Sequence, residues 1–71
     1  MTVSVKRSGD SVKVYINGLL HFYVADKIIM IHAWNEETWW KIKIITASNS
    51  TVLEYNSLKK WKKILTLLDN G

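Results

Sequence analysis

An amphipathic helix is predicted near the end of the sequence, directly after Asn56 and Ser57. Apolar residues recur there every three or four positions, the spacing that places them on one side of an α-helix, and lysines fill most of the positions between them. Asn56 or Ser57 is expected to cap this helix by accepting hydrogen bonds from its free N–H groups, and the helix is expected to stop at Asp69, Asn70 and Gly71. The residues before the helix carry the patterns of strands. The apolar side of the helix consists of Leu58, Trp61, Ile64, Leu65 and Leu68.

The length and the residue types limit how this chain can be stabilised. Its 71 residues allow one domain, 1–71, with one small core. Cysteine is absent, so disulfides and thiolate-bound metals are excluded, and the two histidines are too few to hold a metal by themselves. No cofactor is expected. Small domains without such supports often associate, and we therefore expect a homodimer.

The charge of the chain is basic, with ten Lys and Arg against six Asp and Glu and a net charge of +4. This balance favours acidic protein surfaces or nucleic acids as partners, although lysine-rich chains are also typical of genomes with low G+C content. The longest apolar strand segment, Ile28 to Ile31, is far shorter than the roughly 20 residues that span a bilayer. No apolar signal segment begins the sequence. We expect a cytoplasmic protein without a membrane partner, in the host cytoplasm if it is viral.

Three strands and a tight turn are predicted in the first third of the sequence. Alternating valines indicate the first two strands, on either side of a turn at residues 7–10, and Asn17 with Gly18 is a strong signal for a two-residue hairpin turn. The third strand then runs from Leu19 to Val24. With this turn, the expected register places Ile16 opposite Leu19, Val14 opposite His21 and Val12 opposite Tyr23.

A second group of strands is predicted between residues 28 and 55. We expect strands at 28–34, 39–47 and 51–55, with a four-residue loop at 35–38. Pairing Trp34 with Trp39 creates one wholly apolar face, and a shift by one residue would bury lysines, so the faces are well specified. Pairing Thr46 with Thr51 sets Glu54 opposite Lys43. The apolar face consists of Ile29, Ile31, Ala33, Trp40, Ile42, Ile44, Leu53 and Tyr55.

These elements predict an α+β fold. We expect an antiparallel β-meander of five to six strands, followed by one C-terminal amphipathic helix packed on the apolar face of the sheet. Whether the first hairpin joins this sheet or covers its other face is left open.

The opposite face of the second group of strands is the candidate binding site. It carries aromatic and basic side chains that can anchor a protein partner or stack on nucleobases. Alternatively, the first hairpin covers this face, or the two tryptophans only stabilise their own hairpin. The predicted partner-binding residues of this face are Trp34, Trp39, His32, Lys41 and Lys43.

The helix supplies a second set of candidate contacts, the lysines Lys59, Lys60, Lys62 and Lys63. Lys59 and Lys60 lie in the first turn, where the helix dipole disfavours cations, so selection for binding is one explanation for them. A stripe of this kind suits phosphates or an acidic protein surface. A solvated helix face is the alternative.

No catalytic or metal-binding motif is recognisable. His21 and His32 have no nucleophile or carboxylate at a known spacing, and phosphate-binding glycine loops are absent. We expect no enzyme activity, no catalytic residues and no metal ligands.

Two resemblances follow from the order of these elements. The segment from Lys27 to Leu68 is similar to small accessory and regulatory proteins of Gram-positive bacteria and their phages, in its Trp-bearing strand, polar turn and Lys-rich helix. The meander followed by a helix also resembles a shortened pleckstrin-homology-like fold, which has seven strands.

The helix resembles that of the single-stranded-DNA-binding proteins related to positive cofactor four, in which a curved antiparallel sheet precedes an Asn-started helix with a tryptophan in its first turn. Asn56 and Trp61 take those places, whereas the N-terminal hairpin is additional. This resemblance implies dimerisation through the helices. It also implies DNA contacts by Trp34, Trp39, Lys41 and Lys43.

Three functional hypotheses follow. The leading one is a small non-enzymatic binding or regulatory protein of the phage or mobile-element type, which docks on a host protein and inhibits it. The second is a single-stranded nucleic-acid-binding protein. The third is a small structural or assembly subunit.

Overall fold

The computed structural model describes residues 2–69, which form six strands and one helix. The predicted α+β fold, an antiparallel meander followed by a C-terminal helix packed on a sheet, is confirmed, and the number of strands is six. In chain order the elements are β1 (Val3–Ser8), β2 (Ser11–Ile16), β3 (Leu19–Val24), β4 (Ile28–Glu36), β5 (Trp39–Thr46), β6 (Ser50–Tyr55) and α1 (Leu58–Asp69).

The strands form two separate three-stranded sheets, in the orders β1-β2-β3 and β4-β5-β6. One apolar face of each sheet, which we call its inner face, contributes to a common core with α1. The first hairpin therefore neither extends the second sheet nor covers its outer face, so the alternative that placed it there is wrong. The buried residues of the core are Val3, Val12, Val14, Val24, Ile42, Ile44, Tyr55, Ile64 and Leu68.

The turn between β2 and β3 is the predicted two-residue turn, because Asn17 and Gly18 have φ angles of 52° and 82°. Ile16 pairs with Leu19 as predicted. The rest of the predicted register is wrong, because a bulge at His21 shifts β3 by one residue. Without this extra residue, Phe22 would point outward. With it, Phe22 faces Val14 on the inner side of the sheet.

The turn between β4 and β5 is shorter than predicted. Glu36 pairs with Trp39, so only two residues form the turn, and Trp34 lies opposite Lys41 instead of Trp39. The side-chain amide of Asn35 braces this turn by donating to the carbonyls of Glu37 and Trp39. Because the error in register is two residues, the side chains on either side of this turn remain on their predicted faces.

One residue predicted to lie in the core does not. A bulge between Ile28 and Met30 leaves Ile29 64% exposed, whereas Ile28 packs against the core in its place. The prediction that α1 packs on Ile29 is therefore wrong. An extra residue reverses the direction of the side chains beyond it, which explains the exchange.

The register of β6 also differs by two residues from the prediction. Glu54 lies opposite Lys41 and not opposite Lys43, and Ile45 is paired with Ser50. The hydroxyl of buried Thr46 hydrogen-bonds to the backbone of Asn49. This contact closes the turn, so β6 begins at Ser50 instead of at the predicted Thr51. The inward orientation predicted for Leu53 and Tyr55 is retained, since Ile42 faces Leu53 and Trp40 faces Tyr55.

Helix α1 begins after Ser57, whose hydroxyl accepts a hydrogen bond from the Lys60 N–H at 3.3 Å. Ile64 and Leu68 are buried, whereas Leu58 is exposed and does not join the core. The indole N–H of Trp61 donates to the Lys41 carbonyl at 2.9 Å, and α1 contacts β1 in addition to β5 and β6. The stop predicted at Asn70 and Gly71 lies outside the described residues.

Within residues 2–69, no helix combines the length and the apolar character needed to cross a membrane.

Candidate partner-binding surface

The outer face of the second sheet brings together the aromatic and basic residues predicted in its strands. Cross-strand pairing places His32 opposite Lys43, Trp34 opposite Lys41 and Glu36 opposite Trp39. Residues directly opposite each other in an antiparallel pair point to the same side of the sheet. The complete set on this side is Met30, His32, Trp34, Glu36, Trp39, Lys41, Lys43, Ile45, Ser50, Val52 and Glu54.

The two tryptophans of this face differ in their surroundings. Trp39 is 44% exposed, whereas Trp34 is half-buried beside His32, with 5.0 Å between the ring centroids. The indole N–H of Trp34 donates to a carboxylate oxygen of Glu36 at 3.4 Å. Trp34 is thus held between two neighbours on its own strand, while Trp39 presents an open ring.

Lys41 lies at the centre of the face between two carboxylates. Its Nζ is 3.1 Å from Glu36 and 3.5 Å from Glu54. The hydrogen bond to Glu36 is the main reason why the pKa of Lys41 is raised, and the same bond, followed by the one from Trp34, lowers the pKa of Glu36. The positive charge of Lys41 is therefore balanced by the carboxylates of Glu36 and Glu54.

The remaining outer positions add apolar surface. Met30 is 52% exposed and Val52 is 47% exposed, whereas Ile45 is half-buried. These three residues were not predicted as part of the site. The period-two alternation that places the tryptophans outward also places them outward, so the sequence contained the signal. Together with Trp39 they give the face an apolar rim around a charged centre.

The lysines of α1 lie elsewhere. Lys59, Lys62 and Lys63 are exposed, whereas Lys60 is half-buried with its Nζ 6.0 Å from the ring centroid of Tyr55. Because α1 packs on the inner side of the second sheet, these lysines and the tryptophans lie on different sides of it. The structure does not combine the two predicted groups into one surface.

The two histidines have separate environments. His32 is exposed on the outer face, and His21 lies at the bulge of β3 with its Nε2 2.6 Å from the hydroxyl of Tyr55. In the part of the chain that the structure describes, no three His, Asp or Glu side chains are grouped so that they could hold a metal ion.

The chain matches no family model, and comparisons with curated proteins and with solved structures find no match. The surfaces themselves are therefore the basis for a proposed function.

Proposed function

We propose that this chain is a non-enzymatic binding protein that docks on a partner protein through the outer face of its second sheet. The observation that carries this proposal is an uncovered face on which Trp39, Met30 and Val52 are each more than two-fifths exposed around the paired charges of Lys41. Aromatic residues and methionine are enriched in protein interfaces, and tryptophan is often an energetic hot spot.

The charge distribution of this face favours a protein over a nucleic acid. Lys41 is balanced by Glu36 and Glu54, so Lys43 is the remaining lysine of the face. A polyanion needs uncompensated cations along its path, because release of counterions from its phosphates supplies much of its affinity. A protein surface with an apolar pocket and an acidic group near Lys43 fits the outer face better.

Regulation by occlusion is the simplest mode of action for such a protein. Trp39 would enter the pocket of the partner as an anchor, and Trp34, held by His32 and Glu36, would flank it. The net charge of +4 and the lysines of α1 would accelerate the approach to an acidic partner without entering the contact. We place this activity in the cytoplasm, because the chain contains no cysteine and depends on none for its stability.

The test compares three purified proteins as bait in nuclease-treated lysate: the wild type, Trp34→Ala plus Trp39→Ala, and Tyr23→Ala. Tyr23 is 51% exposed on the first sheet and serves as the matched aromatic control. We expect one specific partner to be retained by the wild type and by the control but lost by the double variant. Its dissociation constant should rise at least about thirtyfold, since a hot-spot residue contributes at least about 2 kcal/mol.

Unchanged capture by the double tryptophan variant would refute this assignment. Light scattering of the wild type at several concentrations tests the expected homodimer in the same material. A dimer that dissociates when Trp39 is replaced would show that the occupant of the face is a second copy of the chain, and not a different protein.

A further inference from the structure

A second surface, on the outer side of the first sheet, combines cations and aromatic rings. Strand alternation places Lys6 of β1, Lys13 and Tyr15 of β2, and Tyr23 of β3 on this side. We call these four residues the Lys–Tyr face. Their neighbours on the same side are small or apolar, namely Ser4, Ser8, Ser11 and Leu20.

Each lysine of this face lies over a tyrosine ring. The Nζ of Lys6 is 5.6 Å from the ring centroid of Tyr15, and the Nζ of Lys13 is 5.6 Å from that of Tyr23. A shallow depression lined by Lys6, Ser11, Lys13 and Tyr15 lies among them. Cation and ring attract each other at this distance, so the four side chains are already arranged as two adjacent pairs.

The positive charge of the Lys–Tyr face is not compensated. Lys6 and Lys13 are direct cross-strand partners, an arrangement that destabilises a sheet when the charges are alike. Within residues 2–69, every ion pair belongs to Lys41, so neither lysine is neutralised there. The acidic residue nearest in sequence, Asp10, lies in the turn beyond the end of β1. This face therefore offers adjacent free cations, which the outer face of the second sheet does not.

We propose that the Lys–Tyr face binds single-stranded nucleic acid, with Tyr15 and Tyr23 stacking on bases and Lys6 and Lys13 contacting phosphates. Tyr23 lies opposite Lys13, the residue next to Tyr15 on the same side of β2, so the two tyrosines are neighbours on adjacent strands and one nucleic-acid strand can reach both rings. Only unpaired bases offer their faces to a sheet, since a duplex keeps them stacked inside. This proposal is independent of the protein-docking proposal, because the two faces belong to different sheets.

The test measures the fluorescence anisotropy of a labelled oligothymidine at several salt concentrations. We expect Lys6→Gln plus Lys13→Gln to weaken binding about tenfold or more at low salt. The slope of log affinity against log salt should fall by about 1.4, because each phosphate contact on a single strand contributes about 0.7. The matched control, Lys59→Gln plus Lys62→Gln, removes the same charge from exposed positions of α1 and should change the affinity by less than about twofold.

The tyrosines are tested by Tyr15→Leu plus Tyr23→Leu. Loss of stacking should weaken binding at least about fivefold per ring while the salt slope stays unchanged. Circular dichroism verifies that each variant is folded.

Three results would overturn the proposal: no binding by the wild type at low salt, equal loss from both lysine pairs, or no effect of the tyrosine pair. Polyglutamate that binds as well as the oligonucleotide, with the tyrosines irrelevant, would assign the face to an acidic protein instead. Loss of oligonucleotide binding on replacement of Trp34 and Trp39 would move the site to the second sheet.

Discussion

Tyr55 and His21 join the two sheets through a single side-chain hydrogen bond. The Tyr55 hydroxyl in β6 lies 2.6 Å from Nε2 of His21 in β3. Burial raises the pKa of Tyr55 to about 12, and burial, together with the charge of Lys60, lowers the pKa of His21 below its usual value of 6.5. Both groups are therefore neutral at physiological pH, and they share one hydrogen bond whose donor is set by the imidazole tautomer.

This pair predicts a loss of stability at alkaline pH. The unfolded state ionises Tyr55 near pH 10 and the folded state only near pH 12, so the free energy of unfolding should fall by about 2 kcal/mol between pH 8 and pH 12. Tyr55→Phe removes this ionisable group and keeps every other one, so it is the matched control. Urea unfolding of both proteins across this range should therefore show a shrinking difference between them, and parallel curves would contradict the assignment.

At acidic pH the stability falls as the pH decreases, the reverse of the alkaline dependence. The folded state disfavours the protonated form of His21, so the stability of the wild type should also decrease as the pH falls below about 6.5, in the same urea series.

At the scale of elements, Arg7 connects the first strand to the end of the helix. Its guanidinium donates to the carbonyls of Leu67 and Leu68, each at 3.0 Å, although β1 and α1 lie at opposite ends of the described chain. The last carbonyls of a helix have no partners within it and carry partial negative charge, which a cation stabilises. Arg7 thus fixes α1 against the first sheet, while Trp61 fixes it against the second.

We predict that Arg7→Gln lowers the free energy of unfolding by about 1–2 kcal/mol, because two charge-assisted hydrogen bonds and the dipole interaction are lost at a partly exposed site. Arg7→Lys should recover part of this loss, since it keeps the charge but not the fork of donors. The matched control is Lys6→Gln, which removes one charge from the neighbouring outward position and should cost less than about 0.5 kcal/mol. Equal effects of the two Gln variants in urea unfolding would exclude the contact.

The elements themselves could be predicted from the sequence, but their exact registers could not. Alternation and the Asn17–Gly18 turn predict which residues form strands and, away from the two bulges, which side chains face inward. Bulges at His21 and Ile29 bring Phe22 and Ile28 against the shared core, a tertiary contact that local patterns do not reveal. The two-residue turn at Glu37 has a φ of 58°, a value for which glutamate gives no sequence signal.

At the scale of the whole molecule, both sheets and α1 share one core, and α1 contributes Ile64 to it. This residue is fully buried in the cluster that includes Val14 of the first sheet and Ile42 and Ile44 of the second. A domain of this size has a total stability of about 4–10 kcal/mol. Loss of this side chain therefore removes a large part of the margin that keeps the sheets together.

We predict that Ile64→Ala destabilises the protein by about 2–5 kcal/mol, and that the conservative control Ile64→Val costs about 1 kcal/mol. Because the core is shared, circular dichroism of the strands and fluorescence of the tryptophans should report one common transition in urea. Two separate transitions, with the first sheet unaffected, would contradict a single cooperative unit.

The outward position of the tryptophans could be predicted from the sequence, but the balance of charges beside them could not. The folded register places Glu54 opposite Lys41, two residues from its predicted partner Lys43, and places Glu36 in β4 and not in the predicted loop. Both carboxylates therefore reach Lys41 only in the folded register. Of the Lys–Tyr face, Lys6, Lys13 and Tyr15 follow from the alternation of β1 and β2. Tyr23, predicted opposite Val12, reaches this side only because of the bulge at His21.

Within each sheet, every strand pairs with the strand next to it in sequence. This affects the order in which the elements assemble during translation. Each hairpin can close soon after it leaves the ribosome, because its hydrogen-bonding partner is only a few residues away. The apolar inner faces of both sheets, however, remain partly exposed until Ile64 and Leu68 are available to cover them. A nascent chain that lacks α1 therefore exposes apolar sheet surface that the folded protein buries.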